Sequence, residues 1–112
     1  MRVHELAGAM LDFWTAKAAN MPSPGISEGV CRIGGSPYRP SASWADGGPL
    51  IEAEAISVFR YPNLDSWHAC VEFDFGREEG LKAKHYYQGP TPLIAAMRCL
   101  VASKLGNEVS SE

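Results

Sequence analysis

The C-terminal part of the chain predicts a helix whose start and end are both marked by residue type, at residues 91–106. Thr91 is a favoured N-cap residue and Pro92 suits the first helical position. Lys104 suits the negative end of a helix, and Gly106 is favoured just past the last turn. The large apolar residues on one arc of this helix are Leu93, Ile94, Met97, Leu100, Val101 and Leu105. We therefore expect that arc to lie in the core.

The opposite side of this helix carries only small uncharged residues, where a solvent-facing helix normally carries Glu, Lys or Gln. These residues are Ala95, Ala96, Cys99, Ala102 and Ser103. A first helix predicted at residues 4–19 has a similar side, with Gly8, Ala9, Asp12, Ala16 and Ala19, opposite an arc of Leu6, Met10, Phe13 and Trp14. Either the two helices touch through these sides within one chain, or a homo-oligomer forms through them.

The size and composition predict one folded domain. The chain has 112 residues, with 46% hydrophobic and 21% charged residues, which is typical of a packed globular protein. We expect residues 1–106 to form this domain and residues 107–112 to form a frayed polar tail.

Charge and cysteine content exclude several classes of partner. The net charge is −3 and the ten Lys and Arg residues are scattered, so duplex nucleic acid is not an expected partner. The chain lacks an apolar run of the roughly 20 residues that span a bilayer, and it lacks a secretion signal, so no membrane association is expected. Cys31, Cys70 and Cys99 are odd in number and far apart, which favours free thiols in a cytoplasmic protein.

The middle of the chain predicts strands. Residues 67–75 alternate strictly between apolar and other side chains, which favours a strand with one core face and one partly solvated face. Further strands are expected at residues 29–33, 56–60 and 83–88, with a turn at residues 76–80 and a short helix that begins at Pro49. The expected fold is α+β, a mostly antiparallel sheet of about four strands with the N- and C-terminal helices packed on it, as a two-layer or αβα sandwich.

Three sequence blocks carry a resemblance to a known family. They are residues 5–18, residues 38–52 and residues 91–106. The most distinctive pieces are Trp-Ala-Asp-Gly-Gly-Pro at residues 44–49 and Thr-Pro-Leu-Ile-Ala-Ala-Met-Arg at residues 91–98. In these blocks the chain resembles the small bacteriophage and prophage proteins of the NinX type, also described as the phage ABA-sandwich domain. The resemblance implies a phage or prophage origin and a sheet layered with helices, and it brings no catalytic residues.

A ligand pocket is predicted between the loop before Pro49 and the start of the last helix. Gly47 and Gly48 would present free N–H groups ahead of a helix, an arrangement that binds phosphate or carboxylate. Arg98 would either reach solvent or direct a fixed charge at an anion. The candidate ligand-binding residues are Tyr38, Ser41, Trp44, Asp46, Gly47, Gly48, Thr91 and Arg98. The alternative is that the glycines serve a tight turn, the arginine is structural, and the rings of Tyr38 and Trp44 seal the loop onto the core.

Metal and catalytic sites are the less favoured hypotheses. The candidate metal ligands, His68, Cys70, His85, Cys31 and Cys99, lack the paired spacing of zinc motifs, so no metal or cofactor is expected. A catalytic base at His68 would use Glu72, Asp74 or His85 as its partner. The alternative is that these are ordinary residues of a solvated strand face.

The leading functional hypothesis is a phage accessory protein that acts in the bacterial cytoplasm without catalysis. Its partner would be a host or phage protein, or a small anionic ligand of the nucleotide type. The alternative is a small hydrolase or transferase that uses the loop at residues 38–48 with His68 as its base.

Overall fold

A computed structural model describes residues 1–76 and 80–110, with side chains described outside residues 72–84. The three described α-helices are α1 (Gly8–Ala18), α2 (Trp44–Ala53) and α3 (Pro92–Leu105), and a 3₁₀ turn at Val3–Glu5 precedes α1. The described strands are β1 (Gly25–Ser27), β2 (Val30–Ile33), β3 (Ser36–Pro37), β4 (Ser57–Phe59), β5 (Trp67–Gly76) and β6 (Gly80–Gly89). No helix in the described part of the chain is long and apolar enough to cross a membrane.

The strands form two antiparallel sheets in the described ranges, β1-β2-β3 and β4-β5-β6. The α+β class is therefore confirmed, but two three-stranded sheets replace the expected sheet of about four strands. The small sheet turns at Glu28-Gly29 and at Gly34-Gly35, and all four residues have positive φ, as tight two-residue hairpins require. β1 and β3 are short and exposed, so they lack the apolar pattern by which strands are recognised. The predicted turn at residues 76–80 lies partly outside the described residues.

The core is built around α3, which is covered by other elements on several sides. β4, β5 and β6 pack on one side of it, while α1 and α2 pack elsewhere on its surface. Its buried residues are Leu93, Ala95, Ala96, Met97, Cys99, Leu100, Val101 and Ala102. The small-residue side is thus covered within one chain, which favours the intramolecular alternative over an oligomer formed through this side. Leu105, expected in the core arc, is exposed at the last turn.

The first helix differs from its expected boundary and face. α1 begins at Gly8 rather than at residue 4, because residues 3–5 form the separate 3₁₀ turn. The arc with Met10, Phe13 and Trp14 was predicted to face the core. These three residues are only half-buried, so the prediction that they form the centre of the buried face was wrong. The residues buried on α1 are Leu11, Asp12, Thr15, Ala16 and Ala18. Small side chains on this face allow α1 to approach α3 closely.

The segment after α3 is paired with the N-terminal segment and is not free as far as residue 109. The Val3 N–H donates to the Asn107 carbonyl at 2.9 Å, and the Val109 N–H donates to the Met1 carbonyl at 2.9 Å. Arg2 and Glu108 form the antiparallel bridge between these two hydrogen bonds. The expectation of a frayed tail is therefore wrong for residues 107–109, while residues 111–112 lie outside the described ranges.

The second helix begins one turn before the expected start. Its N-cap is Ser43, and Pro49 lies inside it rather than at its first position. The Gly47 N–H donates to the Ser43 carbonyl at 2.8 Å, so Gly47 is already helical. A Cβ on Gly47 would collide with the Pro40 carbonyl and would lie 2.8 Å from Leu93 Cδ2. Gly47 is therefore required by close packing between α2, the preceding loop and α3.

Adjacent glycines of α2 provide a matched pair of substitutions. Gly47→Ala should lower the free energy of unfolding by about 1–3 kcal/mol, because the added methyl overpacks a closed contact. Gly48→Ala should change it by less than about 1 kcal/mol, because beyond the adjacent residues its Cβ meets only Trp44 Cε3 at 3.9 Å, and the helix preference of alanine is offset by the following Pro49. Urea unfolding of both variants measures the difference, and equal effects would contradict the packing described for Gly47.

Candidate functional site

The loop before α2 is attached to two helices through buried or half-buried carboxylates. The Ser41 N–H donates to Asp12 Oδ1 at 2.8 Å, and Asp12 on α1 is only 4% exposed. The Arg39 N–H donates to Asp46 Oδ2 at 2.9 Å, from the first turn of α2. The structure thus brings Tyr38, Ser41 and Asp46 together around Asp12. Sequence reasoning did not assign Asp12 to this site; the available indication was an acid on an otherwise small and uncharged helix side.

Electrostatics around Asp12 are dominated by burial. Burial raises the pKa of the Asp12 carboxyl, and the negative charge of Asp46 adds to this, while the Ser41 hydrogen bonds and Arg39 act in the opposite direction. Burial also raises the pKa of Tyr38, followed by the effect of Asp46, and it raises the pKa of Cys31, followed by the effect of Asp12. Burial in this cluster therefore favours the neutral forms of Asp12, Tyr38 and Cys31.

The predicted anion cradle does not have the geometry that it needs. Gly47 and Gly48 lie within α2, so the premise that their N–H groups are free ahead of a helix start was wrong. The Thr91 hydroxyl oxygen accepts a hydrogen bond from the Ile94 N–H at 3.1 Å, which confirms its role as the cap of α3. Trp44 is 58% exposed, so its ring does not seal the loop onto the core, and this alternative was wrong for Trp44. Tyr38 is half-buried.

Arg98 is held by two main-chain carbonyls. Its Nε donates to the Leu6 carbonyl at 2.9 Å, and its Nη1 donates to the Gln88 carbonyl at 2.8 Å. The guanidinium is half-buried, and burial lowers its pKa below the usual arginine value. Arg98 therefore connects α3 to the segment before α1 and to the end of β6, which is a structural role as well as a fixed charge.

Arg98 lines a cleft of about 850 Å³ that none of residues 38–48 lines. Its lining residues are His85, Tyr86, Tyr87 and Gln88 of β6, together with Arg2, His4 and the segment at residues 106–108. The Tyr87 hydroxyl joins β6 to that segment by donating to Asn107 Oδ1 at 2.7 Å. The residues predicted to form one ligand pocket therefore lie in different places. Arg98 lines this cleft, whereas Thr91 and the residues of the loop at 38–48 do not.

The cleft is basic although the chain is acidic overall. Its charged and titratable lining residues are Arg2, Arg98, His4, His85 and Glu108. Two guanidiniums thus face one carboxylate, in a chain of net charge −3. Local excess positive charge of this kind attracts anions at close range.

His68 is buried, and the expectation of a solvated strand face was wrong at this position. The residue is 4% exposed, and its Nδ1 lies 2.6 Å from the Tyr86 hydroxyl. The Phe59 ring stacks on the imidazole at 5.5 Å, and the Tyr61 ring meets it edge-on at 5.7 Å. Nε2 is buried and has no hydrogen-bond partner among the described residues. The ring is therefore poorly placed to act as a base for a substrate in solvent, and the side chains of Glu72 and Asp74 lie outside the description.

The cysteines are free, as the sequence predicted, and all three are buried, which contradicts the partly solvated strand face expected at Cys70. Burial raises the pKa of Cys99 to about 12, and it also raises the pKa of Cys70, so neither thiol is activated as a nucleophile. In the part of the chain that the structure describes, no three His, Cys, Asp or Glu side chains converge as a metal site.

Comparison with known proteins gives one family. The model of the family described as Bacteriophage P22, NinX matches residues 2–104 of the chain. No curated protein matches the chain.

Titration of Asp12 should make stability depend on pH in a defined direction. Folding raises the pKa of Asp12 above 3.8, so the folded state holds this proton more tightly than the unfolded state. The Asp12 contribution to the free energy of unfolding is therefore full at pH below 3.8 and is lost as pH rises through the folded-state pKa. Asp12→Asn keeps an oxygen acceptor for the Ser41 N–H and cannot ionise. Its stability relative to the wild type should grow with pH across this window, measured by urea unfolding at a series of pH values.

A control variant separates the charge from the hydrogen bond. Asp12→Ala removes the acceptor too, and should be about 1–3 kcal/mol less stable than Asp12→Asn because the Ser41 N–H loses its partner. Parallel pH profiles for the wild type and Asp12→Asn would contradict the raised pKa.

Proposed function

We propose, since this chain belongs to the Bacteriophage P22 NinX family, that it is a phage accessory protein that binds an anionic partner in the cleft beside Arg98. It acts by binding rather than by catalysis, in the cytoplasm of the bacterial host. The observation that carries the proposal is a half-buried guanidinium that is fixed by two carbonyls and lines a basic cleft.

Fixation of Arg98 favours binding because the side chain is ordered before a partner arrives. A free arginine loses rotamer freedom when it binds a ligand, whereas Arg98 is already held by the Leu6 and Gln88 carbonyls. A guanidinium has five N–H donors, and these two hydrogen bonds use two of them. The remaining donors are suited to a carboxylate or phosphate.

The dimensions of the cleft also support a binding role. Its volume of about 850 Å³ lies within the range of roughly 300–1,000 Å³ that is usual for ligand sites. Arg2, which also lines the cleft, supplies a second guanidinium. Two guanidiniums in one cleft offer more donors to an anionic group than one.

The residues of the loop at 38–48 take a supporting role in this proposal. Ser41 and Asp46 complete the hydrogen bonds that hold the loop, with Tyr38 beside them. Gly47 packs against Leu93, while Gly48 continues α2 and Thr91 caps α3. Among the residues predicted as ligand contacts, Arg98 is the one that we retain.

Anion titration of the wild type and two variants tests the proposal. We expect pyrophosphate and tetraglutamate to shift the backbone NMR signals of Arg98, His85 and Gln88, with affinity that falls as salt rises. Arg2→Gln should weaken both anions by about tenfold, because it removes one charge-assisted contact. Arg39→Gln removes the same charge from an exposed side chain outside the cleft, and should leave the affinity unchanged.

Two results would refute the anion site. One is an absence of signal shifts around the cleft, and the other is an equal loss of affinity in Arg2→Gln and Arg39→Gln. Arg2 is preferred to Arg98 for this test because its side chain is exposed, whereas loss of Arg98 would leave two carbonyls unpaired.

A further inference from the structure

We infer that the anionic partner is an extended acidic polypeptide segment, which pairs as an additional strand with the free edge of β6. This inference rests on the proposed function and specifies the chemistry of the partner. It combines a strand edge and a cluster of cations in the same cleft.

β6 is an edge strand that opens into the cleft. In the sheet order β4-β5-β6, the described strands pair with only one side of β6. Four consecutive β6 residues, His85 to Gln88, line the cleft, so the cleft runs along this edge. An edge strand presents main-chain N–H and C=O groups, and an extended segment is the natural complement to such a row.

Gln88 shows which main-chain groups face the cleft. Its carbonyl accepts the hydrogen bond from Arg98 Nη1, and its strand partner across the ladder is His68. In an antiparallel pair, the N–H and C=O of one residue point to the same side, so we expect the Gln88 N–H to face away from β5 as well. The carbonyl has a second lone pair, so Arg98 does not exhaust it. Gln88 can therefore both donate to and accept from an added strand.

The length of usable edge is short and well defined. The register of β6 against β5 shifts between the pairs Ala69–Tyr87 and Val71–Lys84, and His85 has a φ of +52°. Such a bulge interrupts a strand edge, and Pro90 cannot donate a hydrogen bond beyond the other end of β6. Gly89 is buried against Ala95 and does not line the cleft, so the added strand would pair along residues 86–88. This restricts the partner to a short extended stretch.

Charge selects an acidic segment over a second copy of this chain. Antiparallel pairing of two β6 edges would place Arg98 and Arg2 of one copy beside the same residues of the other, and like charges oppose that contact. Carboxylates on an incoming strand would instead meet Arg2 and Arg98. The tyrosine hydroxyls are already engaged, Tyr86 with His68 and Tyr87 with Asn107, so the main chain and the cations remain to recognise the segment.

A random dodecapeptide library displayed on yeast tests this inference. Selection against the full chain should enrich peptides with Asp or Glu on alternate positions of a β-favouring segment. The enriched peptide, made synthetically, should slow amide exchange at Gln88 by at least about tenfold. An analogue N-methylated at alternate residues keeps the side chains and charges but loses main-chain donors, and should bind at least about tenfold more weakly.

A variant of β6 tests the same edge from the protein side. Gln88→Pro removes the N–H that faces the cleft, and proline is tolerated on an edge strand where that N–H is not used in the ladder. We expect it to fold and to lose peptide binding, and pyrophosphate binding is compared only in the wild type, because Gln88 also lines the anion site. If Gln88→Pro fails to fold, the N-methylated peptide on the wild-type chain gives the decisive comparison.

The outcomes separate this inference from the anion site itself. Equal binding of the methylated and unmethylated peptides, selection without acidic enrichment, or unchanged exchange at Gln88 would each overturn strand addition. Pyrophosphate binding that depends on Arg2 would then leave the anion site standing. Loss of pyrophosphate binding in the wild-type titration would instead remove the premise that both proposals share.

Discussion

The arrangement of the cleft depends on one arginine that is bound to the main chain at two places. Arg98 projects from α3, the helix around which the core is built, and donates to the Leu6 and Gln88 carbonyls. These carbonyls belong to the N-terminal segment and to the end of β6, which are far apart in sequence. Without the guanidinium, the carbonyl of the buried Leu6 would lose its partner at a cost of about 1–3 kcal/mol. The contact that holds these segments together therefore also places a permanent charge in the cleft.

Asp12 fixes the loop before α2 by a side-chain hydrogen bond to its main chain, as Arg98 fixes the segments around the cleft. The carboxylate lies on the buried side of α1, near Cys31 of β2, and accepts the Ser41 N–H, so a buried polar group has its hydrogen-bond partner. Burial raises the pKa of Asp12, which means that its hydrogen bond is formed at an electrostatic cost. A cost of this kind is tolerated where the loop must be fixed in one position. The loop in turn supplies the Pro40 carbonyl against which Gly47 packs.

Elements with local signals were predicted closely, and elements that depend on tertiary contacts were not. The cap at Thr91, the proline after it and the glycine at 106 predicted α3 to within a residue at each end. The strand β5 followed from its period of two. By contrast, Pro49 suggested a helix start, although α2 begins at Trp44. Proline favours the first helical position because it lacks an N–H and has a fixed φ. The helix nevertheless begins earlier, where Gly47 packs against Leu93. The residues near Gly47 in the sequence do not indicate that contact.

The candidate site shows the same limit more strongly. Arg98 was identified as a charge that would either reach solvent or face an anion, yet its carbonyl partners lie 92 and 10 residues away along the chain. His68 alternates with apolar residues and so was expected on a solvated face, but the rings of Phe59, Tyr61 and Tyr86 lie around it. Pattern shows which face of a strand a residue occupies. It does not show what covers that face.

An acidic chain with a basic cleft has a consequence for selectivity. At physiological ionic strength the Debye length is about 8 Å, so charges elsewhere on the molecule are largely screened from an approaching anion. Attraction therefore acts mainly within the cleft, where Arg2 and Arg98 face one carboxylate, Glu108. Two guanidiniums alone distinguish poorly among anions, because phosphate and carboxylate both fit the fork. The β6 edge adds a requirement for alternating main-chain donors and acceptors, which an extended polypeptide meets and a free phosphate does not. Selectivity in this cleft thus comes from the strand edge, and charge supplies the initial attraction.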